Sequence, residues 1–219
     1  MDIKGILAIT DHTLLRPTSS WEEIKELLDD ATNFGCSSAC IPASYVEEAV
    51  YYVDRALPIC TVVGFPYGYD TAETKVFAAE NALENGASEI DMVINLGWVK
   101  DGLFDCVEEE ISMVREAVSD GVLKVIIESS ELTEEEIIRL CQVVTDSGAD
   151  YIKTSTGFAY GGASFDVIAL MKKHVGEGVG IKASGGISSF ADAEKYIELG
   201  ATRLGTSRLV KRAIAGDFS

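Results

Sequence analysis

The chain has 219 residues, of which 47% are hydrophobic and 25% charged, with 36 acidic against 18 basic side chains and a formal net charge of −18. That composition supports a substantial core and excludes a disordered chain. The negative charge excludes nucleic acid and anionic membrane as partners, because both are bound by Lys and Arg neutralising phosphate.

The N-terminus, MDIKGILAITDH, carries no signal-peptide pattern and no apolar run reaches membrane-spanning length, so a soluble cytoplasmic protein is expected. The first strand is predicted over 6–13 (ILAITDHT) and a helix over 19–35. Strands follow at 37–41 and 59–65, a helix at 70–87, a strand at 88–95 and a helix at 104–118. A strand at 123–129, a helix at 132–149 and strands at 150–155, 179–184 and 202–207 complete the series. β-Branched runs mark the strands, and several helices enter on Ser, Thr or Asp and exit on Gly. The exits NFGCS, ENGAS, DSGAD and ELGAT resemble one another, a weak internal repeat. The EEE runs at 108–110 and 134–136 are read as solvated faces at helix starts, where they complement the helix dipole. Eight such units in a chain of this length predict one α/β domain spanning 1–219, a (β/α)8 TIM barrel in preference to a doubly wound sheet.

In such a barrel chemistry sits at the C-terminal strand ends, where Asp11, Cys40, Asp91, Asn95, Glu128, Lys153, Lys182 and Ser207 fall. Strand alternation puts Asp91, Val93 and Asn95 on the inner face of 88–95 and turns Ile90, Met92 and Ile94 toward the helices. The same parity turns Lys153 with Ser155, and Lys182 with Ser184, inward. A lysine buried at a strand end is costly, because desolvation disfavours the ammonium, and two facing one cavity describe an amine-catalysis site. A free lysine amine condenses with a carbonyl to an iminium, the electron sink for breaking a C–C bond, and a second lysine cation keeps the first one neutral. Asp91 is the nearest proton shuttle by strand position. Five cysteines (Cys36, Cys40, Cys60, Cys106, Cys141) without CxxC spacing and two histidines (His12, His174) indicate neither a disulfide framework nor a metal cluster, and no cofactor is expected. GEGVG (176–180) precedes a strand and GFAYGGAS (157–164) lacks GK[ST], so neither is a nucleotide fingerprint.

DHTLLRP (11–17), VVGFPYGYDTAETK (62–75), EIDMVIN (89–95), KVIIES (124–129), YIKTSTGF (151–158), IKASGGI (181–187) and RLGTS (203–207) together resemble the deoxyribose-phosphate aldolases, in order and over nearly the whole chain. The resemblance implies a class I lyase that interconverts 2-deoxy-D-ribose 5-phosphate with D-glyceraldehyde 3-phosphate and acetaldehyde in deoxyribose phosphate catabolism. It implies Lys153 as the Schiff-base lysine, Lys182 as its perturbing partner and Asp91 as the acid/base carboxylate. Asp11, Thr13 and Cys40 would lie near the substrate hydroxyls, and Gly157, Gly185, Gly186, Gly205 and Ser207 around the phosphate. Small-molecule phosphorylated sugar and aldehyde substrates, no metal and a homo-oligomeric assembly are the corresponding expectations. The chain departs from the family at Arg16, Pro42 and Arg208; the last either adds a charged phosphate contact, narrows the site or is solvated. The end at GDFS, soon after the last helix, predicts a more open pocket. The alternatives are a Schiff-base aldolase acting on another aldehyde or sugar phosphate and a non-catalytic sugar-phosphate-binding barrel.

Overall fold

The computed structural model describes residues 2–218. Eight parallel strands close into a barrel in sequence order: β1 (Thr10–Thr13), β2 (Ser38–Cys40), β3 (Ile59–Val63), β4 (Glu89–Val93), β5 (Val122–Ile126), β6 (Tyr151–Lys153), β7 (Gly180–Ser184) and β8 (Arg203–Thr206). Helices α1 (Ile3–Ala8), α2 (Trp21–Asn33), α3 (Val46–Tyr52), α4 (Ala72–Glu84), α5 (Leu96–Lys100), α6 (Phe104–Ala117), α7 (Glu134–Asp146), α8 (Phe165–His174), α9 (Phe190–Glu198) and α10 (Leu209–Ile214) surround it. None of them is long and apolar enough to cross a membrane.

Local chemistry sets the helix ends. Ser20 and Thr133 form capping boxes with Glu23 and Glu136 at α2 and α7, satisfying amides that the first helical turn leaves free. The recurring glycine exits are left-handed at Gly35, Gly86, Gly148 and Gly200, the conformation in which a residue without Cβ ends a helix cheaply. Ile90, Met92 and Ile94 are buried in the apolar layer with Val125, Ile152, Ile181 and Leu204. The main apolar layer therefore runs between strands and helices, and the barrel interior mixes charged side chains with a few apolar ones such as Val93 and Ile126.

Three sequence expectations are corrected. Residues 6–8 belong to α1, capped by Asp2, so the first strand begins only at Thr10. Asn95 lies past the end of β4 and caps α5, its Oδ1 accepting from Trp98 N at 3.3 Å, which removes it from the inward set. Glu110 is not on a solvated face: it sits in the second turn of α6, fully buried against Lys75 of α4 at 2.5 Å. Lys75 Nζ also donates to the carbonyls of Gly68 (2.7 Å) and Val93 (2.8 Å), tying the β3–α4 loop to the end of β4. That loop packs so closely that a Cβ on Gly68 would lie 1.9 Å from the Ile94 carbonyl oxygen, and Gly68 has a positive φ.

Candidate active site

Strand register sets Asp91 beside Lys124, Lys153 beside Lys182 and Lys182 beside Arg203. Barrel closure lets these side chains meet across the interior. Asp91 Oδ2 accepts from Lys153 Nζ at 2.8 Å and from Lys182 Nζ at 2.7 Å, so the two nitrogens flank one oxygen atom. Its Oδ1 accepts from Lys124 Nζ at 2.7 Å and Cys60 Sγ at 3.2 Å. Lys182 also donates to Asp11, whose other oxygen takes Arg203 Nε at 2.5 Å. Arg203 forks onto Glu89 at 2.6 and 2.5 Å, and Lys124 reaches the same carboxylate at 2.7 Å.

The network joins four cationic side chains (Lys124, Lys153, Lys182, Arg203) to three carboxylates (Asp11, Glu89, Asp91). Burial alone would raise the carboxyls of Asp11 and Asp91, but the surrounding cations outweigh it and hold both below the ordinary aspartate range. Burial likewise acts to discharge Lys124 and Lys182, yet the same carboxylates keep both above the ordinary lysine value. Lys153 pairs with a single oxygen of the network, Asp91 Oδ2.

Above the network opens a cavity of about 530 Å³, lined at its base by Lys153, the one member of the network that reaches it. Thr13, Gly157, Gly185, Gly186, Gly205 and Ser207 line the same cavity. Asp91, Lys182, Asp11 and Cys40 lie beneath it, fully buried in the barrel interior. Cys40 and Cys60 bring their sulfurs together beside Asp91; the neighbouring Cys60 thiol lowers Cys40 below its ordinary value, while burial pushes Cys60 well above it. Gly157, Gly185 and Gly186 have positive φ, leaving a wall of main chain without Cβ atoms. Gly205 makes room for Lys182, since a Cβ there would meet its Cε at 3.0 Å. Arg16 is exposed and paired with Glu23 at 2.6 Å, and together with Arg208 and Lys211 it stands at the cavity wall. His12 points away from the site and is buried, with neither ring nitrogen hydrogen-bonded.

Sequence reasoning passed over Lys124, Glu89, Arg203 and Thr156. The first three carry the signal that singled out the two lysines, a charged residue in an apolar strand at inward parity. Thr156 lies in the IKTSTGF motif and lines the cavity; Glu128 just past the end of β5 accepts from both its main-chain N–H, at 3.1 Å, and its hydroxyl. Burial raises the Glu128 carboxyl above its ordinary value.

The profile of the DeoC/LacD family of aldolases matches residues 5–207. A deoxyribose-phosphate aldolase of Streptococcus agalactiae serotype Ia is 60% identical over 96% of this chain and 95% of its own length. One of Streptococcus pyogenes serotype M4 matches at the same identity and coverage. Among solved structures, the tetrameric deoxyribose phosphate aldolase of Aeropyrum pernix superposes with a TM-score of 0.89 at 30% identity, covering 98% of this chain and 93% of that one. An aldolase designated QR15 gives 0.90 at 34% identity, over 96% and 98%.

Proposed function

Because the chain belongs to the DeoC/LacD family of aldolases, we propose that it reversibly cleaves 2-deoxy-D-ribose 5-phosphate to D-glyceraldehyde 3-phosphate and acetaldehyde through a Schiff base on Lys153. The observation that carries the assignment of roles is the sharing of one Asp91 oxygen by Lys153, open to the cavity, and Lys182, closed off beneath it.

The Lys153 amine adds to the C1 aldehyde, and loss of water gives the iminium. The C3 hydroxyl then loses its proton, the C2–C3 bond breaks, and its electron pair flows into the iminium to form an enamine. Glyceraldehyde 3-phosphate departs with C3 as its new aldehyde carbon. Protonation of the enamine at C2 and hydrolysis release acetaldehyde and restore the amine. Asp91 and Lys182 form the proton-carrying pair: Asp91 Oδ2 is bonded to Lys182 at 2.7 Å and to Lys153 at 2.8 Å, so a proton can pass between hydrogen-bonded partners that are already in place. Asp11 serves by fixing Lys182. The phosphate is received by main-chain amides and small hydroxyls around Gly157, Gly185, Gly186, Gly205 and Ser207, short-ranged contacts suited to a chain whose overall charge repels an anion. A cytoplasmic location and a homo-oligomeric assembly, as in the tetrameric Aeropyrum relative, complete the proposal.

Borohydride reduction in the presence of deoxyribose 5-phosphate should leave one stable adduct on the peptide containing Lys153. An adduct on Lys182, or none with an active preparation, would overturn the assignment.

A further inference from the structure

Glu128, two residues past the end of β5, has an unusual backbone conformation. It is a non-glycine residue with φ of 47°, in the left-handed region, and it is buried. Backbone strain at a strand end next to a site persists only where the surroundings hold it in place. Here it turns the carboxylate toward the β6 loop, where Oε2 accepts from both the main-chain N–H and the hydroxyl of Thr156. No step of the proposed reaction uses this carboxylate.

The hydrogen-bond inventory of Thr156 gives the arrangement a consequence. A threonine hydroxyl has one proton and two lone pairs. The proton is committed to Glu128, because a carboxylate only accepts. One lone pair takes Phe158 N–H at 3.0 Å. The remaining lone pair is the only unassigned direction, and Thr156 lines the cavity beside Lys153. Toward substrate, Thr156 is therefore an acceptor and not a donor.

We propose that Glu128 is a positioning residue that fixes the Thr156 hydroxyl as an acceptor, so that the site selects substrates with a donating hydroxyl next to the reacting carbon. The inference rests on the aldolase reading above and adds a specificity element to it. An acceptor lone pair repels phosphate oxygens, so it also keeps the substrate's anionic end on the glycine-rich wall. For the synthetic direction the group recognised is the 2-hydroxyl of glyceraldehyde 3-phosphate.

The test measures addition of acetaldehyde to glyceraldehyde 3-phosphate and to its analogue lacking the 2-hydroxyl, 3-phosphooxypropanal. A hydrogen bond to a polarised acceptor corresponds to a preference of about 10- to 100-fold in kcat/KM for the hydroxylated acceptor. Glu128→Ala should bring that ratio to within about threefold of one, whereas Glu128→Gln, which keeps an accepting oxygen, should largely restore it. Thr156→Val, which retains the main-chain bond to Glu128, should abolish the preference as Glu128→Ala does. Should Glu128→Ala not fold, the unmodified enzyme supplies the decisive measurement: the 2-fluoro analogue, which can accept but not donate, should have a KM as weak as the deoxy compound. Equal losses on both acceptors in Glu128→Ala, or a fluoro analogue bound as tightly as the hydroxylated one, would overturn the inference while leaving the aldolase reading intact. No turnover of either acceptor by the unmodified enzyme would overturn both.

Discussion

Replacing Lys182 by Met should disable the nucleophile without dismantling the barrel. Asp11 keeps Arg203 and Lys124 as partners, and Asp91 keeps Lys124 and Lys153, so no carboxylate is left unpaired by the change. The electrostatic consequence falls on Lys153. Lys182 and Lys153 donate to the same Asp91 oxygen, so the substitution removes the cation that stands beside the nucleophile. Two cations flanking one carboxylate oxygen, roughly 4–5 Å apart, repel by about 3–4 kcal/mol at an effective dielectric constant of ~20. At about 1.4 kcal/mol per decade, losing that interaction lowers kcat by about 10²–10³-fold near neutral pH. The assay is the pH dependence of kcat for retro-aldol cleavage. The variant's deficit should be largest near neutral pH and shrink toward alkaline pH, over a less pH-dependent loss from the missing proton relay, while Lys182→Arg, which keeps the cation, should retain far more activity at neutral pH. Near-native kcat with an unshifted profile in Lys182→Met would refute the electrostatic reasoning, and equal losses in the Met and Arg variants would mean that Lys182 acts through its shape.

Two further outcomes concern stability. Lys75→Met leaves Glu110 and two carbonyls buried without their partner, a loss of about 3–5 kcal/mol, equivalent to a fall in Tm of about 6–20 °C for a domain of this size; a double-mutant cycle with Glu110→Gln should show strong coupling, and additivity would contradict the pairing. Burial lowers His12 from its ordinary value of 6.5 to about 4, so the unfolded chain takes up a proton in this window before the folded chain does. The stability associated with neutral His12 is thus complete above pH 6.5 and lost as pH falls to about 4, amounting to about 3 kcal/mol. Asp11 and Asp91, held below the aspartate range, withdraw their contribution only at still lower pH. Denaturant titrations between pH 7.5 and 4.5 should show the first loss in the native protein and not in His12→Gln; parallel curves would exclude His12 as the group.

The barrel was legible in the sequence because its determinants are local. Alternation within β4, the capping boxes at Ser20 and Thr133 and the left-handed glycine exits each act over a few residues, and eight repetitions leave little choice of architecture. Lys153 and Lys182 were legible for a similar reason, since a lysine in an apolar strand contradicts its surroundings and invites a chemical explanation. Residues 6–8 and Asn95 were misassigned because an apolar run does not show where a helix gives way to a strand, or a strand to a cap. Glu110 read as solvated because nothing near it in sequence announces Lys75, which comes from a helix one βα unit earlier.

What only tertiary structure decided is the pairing. Arg203 and Asp11 are 192 positions apart and meet because β8 closes against β1. Lys124 becomes part of the site through its register with Asp91, and Glu128 through a hydrogen bond to a loop 28 residues on. In sequence each of these side chains shows only as a charge in or beside an apolar strand, with no sign of its partner. Their charges acquire meaning only where closure of the barrel removes water and leaves every charged group to find its counterpart within the same small interior.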